Sequence, residues 1–340
     1  MKKWRLSLRL FPLFAIALLL SGCGKEGLST LIPMGTVAKE QADLMLFSLL
    51  IMVLVMVVVI VLFTYAIIKF RKKRGQEDFI PKQVEGNAKL ELLWTIIPII
   101  LLIILAVPTI SKTFAHSDTH VAKGDDVIKV KVTGHQYWWE FEYPDQKIKT
   151  AQDLVIPTGK KVVVELTSKD VIHAFWVPAL AGKIDANPGQ TTSLWLDADK
   201  EGTYKGRCAE LCGSSHALMY FNVKAVSPDE FKQWSKDMKD GPSAPTTASA
   251  KKGEQIFKNN CMSCHAVGEK GGQTAPNLSN FADRENIAGF KEHNKKNLKA
   301  WIKNPGKIKP GAEMPSFEDE LSDDQINALA DYLFSLSVKK

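Results

Sequence analysis

The chain has 340 residues, 24% of them charged, with a formal net charge of +7 and five cysteines. That length allows two or three domains, and a modest positive charge without an aromatic-interleaved basic stripe excludes a nucleic-acid binder. Part of the excess charge sits in one short loop, where it has a topological meaning.

Lys2, Lys3, Arg5 and Arg9 come with the apolar run 10–20, and Leu20-Ser-Gly-Cys23 follows. Basic, apolar and small-residue parts in that order predict a signal peptide over 1–22. Cysteine directly after Leu-Ser-Gly resembles the bacterial lipoprotein signal, which implies cleavage before Cys23 and a lipid on its thiol. A conventional signal with an incidental cysteine is the plainer alternative.

Residues 44–68 and 92–111 are apolar and carry no charge. At about 1.5 Å of rise per residue, each can cross a hydrocarbon core of about 30 Å. They predict transmembrane helices over 42–69 and 91–112, the second kinked at Pro98 and Pro108, which membrane helices tolerate. The loop 70–90 holds Arg71, Lys72, Lys73, Arg74, Lys82 and Lys89 against Glu77, Asp78 and Glu85. Positive charge resists translocation, so this loop is expected in the cytoplasm, with segment 23–41 and everything after residue 112 outside.

Beyond the second span, 127–132, 137–143, 161–166, 191–196 and 219–225 read as strands, with turns at Pro157-Thr-Gly159, Asn187-Pro-Gly189 and Asp199-Lys-Glu-Gly202. That spacing predicts an antiparallel sandwich over 120–228. Residues 240–250 have linker composition and predict a flexible joint. Helical patterns at 251–260, 297–303 and 322–336 predict a small helical domain over 251–340, its last helix opened by the capping box Ser322-Asp-Asp-Gln325. So small a domain holds little core and gains from a bound cofactor.

Two motifs carry the chemistry. Cys208-Ala-Glu-Leu-Cys-Gly-Ser-Ser-His-Ala-Leu-Met219 gathers two thiols, an imidazole and a thioether. Thiolates are soft ligands, and a thioether beside them points to copper or haem iron. A blue-copper loop needs one cysteine; a second lets two thiolates bridge a metal pair. A Cys208–Cys212 disulfide or a structural zinc site is the alternative, although neither uses Met219. His173 lies upstream at a strand-like position, while His116, His120, His135 and His293 read as packing histidines.

Cys261-Met-Ser-Cys-His265 places two thiols to attach to haem vinyl groups, with His265 binding iron from one side. Met314, in Glu313-Met-Pro-Ser-Phe317 ahead of the last helix, is expected as the second axial ligand, with Met262 and His293 as competitors. Cys23, the two copper-motif thiols and the two haem-motif thiols use all five cysteines, leaving none for a structural disulfide. Iron and copper so saturated have no place for substrate. The chain is therefore expected to conduct electrons while another subunit performs the chemistry.

These residues together resemble subunit II of cytochrome c oxidase, in the haem–copper oxidase family, with a C-terminally fused cytochrome c domain. The resemblance implies a multi-domain membrane protein: a two-helix transmembrane hairpin, a cupredoxin-like β-sandwich, then a small all-α cytochrome c domain. It implies a dinuclear copper centre bridged by Cys208 and Cys212, with His173 and His216 binding one copper each and Met219 a weak ligand. Glu210 would lend its backbone carbonyl to copper and its side chain to a magnesium shared with subunit I. Gly134-His-Gln-Tyr-Trp-Trp139 resembles the family's aromatic patch where electrons arrive. The family often has Trp-Tyr-Trp, so the resemblance leaves open which of Tyr137, Trp138 and Trp139 serves, and core packing is the alternative. Glu91 matches a glutamate at the inner mouth of a proton pathway; stabilisation by the helix N-terminus accounts for a carboxylate there equally well. Ala275-Pro-Asn-Leu278 resembles small cytochromes c.

The implied function is electron transfer from haem c to the copper pair and on to subunit I, where oxygen is reduced to water with proton pumping. Implied partners are subunit I and other oxidase subunits, the lipid bilayer, and an external donor, either cytochrome c or a quinol–cytochrome c reductase complex. The expected place is the bacterial plasma membrane, with copper and haem domains on the outer face. The alternative is the electron-receiving subunit of another respiratory reductase, such as a copper-containing nitric oxide reductase. A copper-delivery protein needs no covalent haem, and a quinol oxidase subunit, with the sandwich but no copper, needs neither Cys208 nor Cys212.

Overall fold

The computed structural model describes residues 27–72, 75, 80, 82–117 and 127–339; the signal peptide, Cys23 and His120 lie outside them. Two long helices come first, α1 (Thr36–Phe70) and α2 (Ala88–Ser117). Their central side chains are apolar all round and stand exposed, as a membrane span requires. At about 1.5 Å per residue α1 is about 50 Å long, well beyond a hydrocarbon core of about 30 Å. Its first turns, with Lys39, Glu40 and Asp43, therefore project past the bilayer on the same side as the sandwich. There Glu40 holds Lys112 of α2 at 3.0 Å and His116 at 3.3 Å, tying the two helices together.

The sandwich supports the copper loop. Its strands are β1 (Ile128–His135), β2 (Trp138–Tyr143), β3 (Ile148–Ala151), β4 (Asp153–Pro157), β5 (Val162–Ser168), β6 (His173–Trp176), β7 (Lys183–Ala186), β8 (Thr192–Leu196), β9 (Gly202–Cys208) and β10 (Tyr220–Val226). One sheet runs β3-β2-β1-β5-β8 and the other β4-β10-β9-β6-β7. Both sheets are mixed, which corrects the expectation of a purely antiparallel sandwich: β1 pairs β5 in parallel, as does β4 with β10. The cause is connectivity. Between β1 and β5 the chain lays down a hairpin and crosses to the opposite sheet with β4, a crossover long enough to return in parallel. Alternation along β2 turns Trp139, Phe141 and Tyr143 inward and Trp138 outward. Trp139, Phe141, Phe175 and Phe221 fill the space between the sheets, with Phe175 stacked on Phe221 at 4.6 Å.

A helix absent from the sequence reading, α3 (Pro228–Asp240), leaves the sandwich. It opens with a full capping box between Ser227 and Glu230 and buries Phe231 and Met238. The next helix, α4 (Ala248–Asn260), starts inside the expected linker, so the joint shrinks to 241–247. Then come α5 (Lys295–Lys303), α6 (Pro305–Ile308) and α7 (Asp323–Leu333), the last with its predicted capping box in place. α4 crosses α7 so closely that a Cβ on Gly253 would lie 2.0 Å from the Ala328 carbonyl oxygen.

The helical domain rests directly on the sandwich. Glu285 takes hydrogen bonds from Thr203 and Lys205 of β9 at 2.8 and 3.1 Å, and Lys224 donates to the Asp283 carbonyl at 3.0 Å. Ser214 and Ser215, beside the copper motif, both donate to the Pro310 carbonyl at 2.9 and 2.6 Å.

Candidate copper and haem sites

The copper motif begins at the end of β9 and loops back into β10, and the first residue of β6 lies alongside. His173, Cys208 and Cys212 are buried, with their ligand atoms all within 4.8 Å of one another. The two sulfurs are 3.8 Å apart and unbonded, far beyond a disulfide length of about 2.05 Å. His173 Nδ1 lies 3.8 Å from Cys208 Sγ, and His216 Nδ1 lies 3.6 Å from Cys212 Sγ. Met219 Sδ stands 3.7 Å from Cys212, and the Glu210 carbonyl oxygen 3.3 Å from Cys208. Each of the other expected copper ligands thus lies within 3.8 Å of one of the two sulfurs, with donors soft enough for copper.

The thiols share one proton unequally. A hydrogen bond with Cys212, aided by His173, pulls Cys208 below the usual thiol value in spite of burial. The neighbouring Cys208 thiolate pushes Cys212 up in turn. The arrangement thus favours a thiolate at Cys208, the form that binds metal.

Three residues outside the sequence reading position these ligands. Asp170 accepts a hydrogen bond from His173 Nε2 at 2.8 Å, which leaves Nδ1 free to face the thiols. Burial works against the Asp170 charge, but His173 and the N–H groups of Val171 and Gln136 outweigh it and hold its pKa below the usual carboxylate value. Gln136 donates from Nε2 to the Cys212 carbonyl. Gly134 passes under the His173 ring so closely that a Cβ there would sit 2.7 Å from Cδ2. An aspartate three residues before a ligand histidine was the signal available for the first; the other two had none.

The haem motif closes α4, and a cavity of about 320 Å³ opens beside it. Cys261, Cys264, His265 and Met314 all line this cavity, whereas His293 packs between Phe281 and Phe334. His265 Nδ1 lies 2.8 Å from the Pro276 carbonyl, in the Ala275-Pro-Asn-Leu278 segment, so Nε2 is left for iron. Arg284 also lines the cavity; it donates to the Asn277 carbonyl, and its buried Nε has no partner. An unpaired buried guanidinium nitrogen suits the carboxylates that haem carries, so these residues fit the group.

Tyr137 and Trp138 line the same cavity from the sandwich side. Tyr137 is buried, with its hydroxyl 3.2 Å from Ser214 Oγ in the copper loop. Trp138 stacks on His135 at 4.1 Å, and burial lowers that imidazole to about 4. Trp139 faces the other way, fully buried and edge-on to His173 at 5.8 Å. The three aromatics therefore divide between the two sites. Glu91 lies in the first turn of α2, and His116 packs near Trp195. Among the described residues, His173, Cys208 and Cys212 form the group of His, Cys, Asp and Glu side chains able to hold an ion. Glu210 is exposed and outside that group, so magnesium has no support among the described residues.

Comparison with known proteins agrees with this layout. Residues 34–111 match the family "Cytochrome C oxidase subunit II, transmembrane domain", residues 146–226 "Cytochrome C oxidase subunit II, periplasmic domain", and residues 250–337 "Cytochrome c". The chain is 48% identical to cytochrome c oxidase subunit 2 of Alkalihalophilus pseudofirmus over 342 residues, covering 99% of each. It is 47% identical to that of Bacillus subtilis over 355 residues, again covering 99% of each. A quinol oxidase subunit 2 of Bacillus cereus is 37% identical over 74% of this chain and 86% of its own length. Among solved structures, the periplasmic domain of subunit II of Bradyrhizobium japonicum cytochrome oxidase is 37% identical, covering 35% of this chain and 96% of its own, with a TM-score of 0.33. With both helices, the sandwich and the haem domain matched in order, the chain belongs to the cytochrome c oxidase subunit II family and carries a cytochrome c domain at its C-terminal end.

Proposed function

We propose that this chain is the electron-conducting subunit of a terminal cytochrome c oxidase, passing electrons from a covalent haem c through paired copper to subunit I, where oxygen is reduced to water with proton pumping. Haem and copper supply the one-electron chemistry when bound. The protein's own part is to hold ligands rigidly and keep the two sites adjacent. The observation that carries the reading is the shared wall: Tyr137 and Trp138 line the haem cavity, and Tyr137 touches Ser214 of the copper loop.

Each residue has a definite part. Cys208 and Cys212, with His173, His216, Met219 and the Glu210 carbonyl, would hold the copper pair. Cys261 and Cys264 would attach the haem, and His265 and Met314 would hold its iron. Tyr137 and Trp138, rather than the core residue Trp139, stand between the sites. The copper and haem domains face the outside, Cys23 carries a lipid, and Glu91 stands at the cytoplasmic mouth of a proton route.

Metal and haem analysis of the full chain tests this reading, with paired copper and one c-type haem expected. Cys212→Ser should abolish the mixed-valence copper signal and leave the haem bands intact. Zinc in place of copper, an intact Cys208–Cys212 disulfide in native material, or an unaltered copper spectrum in the variant overturns it. Oxygen consumption by the purified complex, without nitric oxide reduction, separates an oxidase from the rival reductase.

A further inference from the structure

Lys309 follows α6, and only 3% of its surface reaches solvent. Its Nζ donates to the Tyr137 carbonyl at 2.6 Å and to the Ala288 carbonyl at 2.9 Å. The first acceptor belongs to the sandwich and the second to the haem domain, so one ammonium spans both. Burying an ammonium costs several kcal/mol unless it is paired. Among the described residues no carboxylate lies within ion-pair distance of this one; its neighbours are two neutral carbonyls and, at 5.8 Å, the Phe290 ring. Burial pulls its pKa down to about 7, and the nearby Cys212 sulfur offsets only part of that.

An ammonium has three N–H donors. Two are satisfied, and Lys309 lines the haem cavity. Glu313 also lines the cavity without pairing to this ammonium, so a carboxylate on a group bound there would supply both the missing acceptor and the missing negative charge. Nearby, Gly311 (φ 81°) brings the backbone so close that a Cβ would sit 2.8 Å from Ser214 Oγ and 3.0 Å from the Tyr137 hydroxyl. The segment after α6 thus presses on the aromatic wall and the copper loop together.

We propose that Lys309 is a positioning residue: its ammonium clamps the haem domain onto the copper domain at Tyr137, and a haem carboxylate completes its bonding, so that haem loading and domain docking are one event. This rests on the reading that the cavity holds haem c. The haem domain is then seated on the copper domain once haem is attached, rather than merely joined to it through 241–247.

The test uses the full-length chain in its membrane complex as wild type, Lys309→Met, Lys309→Arg and the haem-free double variant Cys261→Ser/Cys264→Ser. Covalent haem is measured by its reduced spectrum, iron ligation by the methionine–iron charge-transfer band, internal transfer by flash photolysis, and docking by proteolysis within 241–247. In Lys309→Met we expect haem and the methionine band retained, transfer slowed by at least about tenfold through misplacement, and the joint newly cleaved. Lys309→Arg, which keeps the charge and its donors, restores both. The haem-free variant is cleaved as readily as Lys309→Met.

A wild-type rate with a protected joint in Lys309→Met overturns the clamp. Equal protection of haem-free and haem-loaded protein overturns the coupling. Loss of the methionine band in Lys309→Met, with a protected joint, makes the lysine part of the haem pocket alone and also overturns the clamp. Should Lys309→Met fail to assemble, Lys309→Gln is read by the same criteria. Absence of covalent haem from the wild type defeats the underlying reading instead.

Discussion

Asp170 Oδ1 lies 2.8 Å from Nε2 of His173 and thereby fixes which ring nitrogen, Nδ1, meets Cys208. The carboxylate is itself held by the N–H groups of Gln136 at 2.7 Å and Val171 at 2.6 Å. It orients a ligand without touching the metal volume.

Asp170→Asn keeps the size of the side chain and removes its charge. Loss of such a ligand-orienting carboxylate typically lowers metal affinity by about 10–100-fold. Copper competition against a chelator in the full chain should show that drop, with the haem bands unchanged. Unchanged retention of copper would make Asp170 a turn residue only.

Gly134→Ala forces a methyl group into the His173 ring. The ring cannot retreat, being held by Asp170 on one side and facing Cys208 on the other. Overpacking of this kind costs about 1–3 kcal/mol. Thermal unfolding and copper content should fall together; loss of stability with full copper loading would show that the ring shifts harmlessly.

Phe221→Ala empties the space between the sheets. Phe221 is buried, stacks on Phe175 and lies 5.6 Å from Trp139, centroid to centroid. Removing such a ring costs about 3–5 kcal/mol. Chemical denaturation of the outer domains should report a loss of that size, and a loss below about 1 kcal/mol would mean that this core can collapse.

Met314→Ala should leave haem covalently attached through Cys261 and Cys264 while removing the soft axial ligand. The reduction potential is expected to fall and the methionine–iron band to vanish. Redox titration checks this directly. An unchanged band would give the ligand to Met262.

Glu285 sets the acid limit of domain docking. Burial raises its pKa, but hydrogen bonds from Thr203 and Lys205 and nearby lysine charge outweigh this and hold it below its ordinary 4.5. A depressed carboxylate contributes stability above its unfolded value, and the contribution is lost as pH falls through the folded value. The joint at 241–247 should therefore become cleavable below about pH 4.5. Glu285→Gln should flatten that step; an identical acid profile would place the titrating group elsewhere.

The candidate copper motif stood out because two thiols, an imidazole and a thioether lie on one short stretch, where chemistry can be read from residue type alone. The candidate haem motif stood out for the same reason. His173 was reachable through family resemblance, whereas the spacing of Asp170 three residues before it is only a weak signal, because its role appears once the turn between β5 and β6 brings the carboxylate to the ring. β4 is buried at all five positions, so it lacks the alternation that reveals a half-buried strand. Lys309 reads as one lysine among many; its burial arises only when segments 172 residues apart in the chain meet. The mixed pairing of the sheets was hidden likewise, since strand direction depends on which neighbours a crossover selects.

Asp197 accepts hydrogen bonds from both the N–H and the hydroxyl of Thr36, at 2.7 and 2.6 Å, and Gly35 lets the two backbones come close. The first membrane helix is thus bolted by its outer tip to the domain above, with no hinge at that tip. A lean of that helix, as when the surrounding bilayer thins, would therefore be passed on to the sandwich at this point rather than absorbed there.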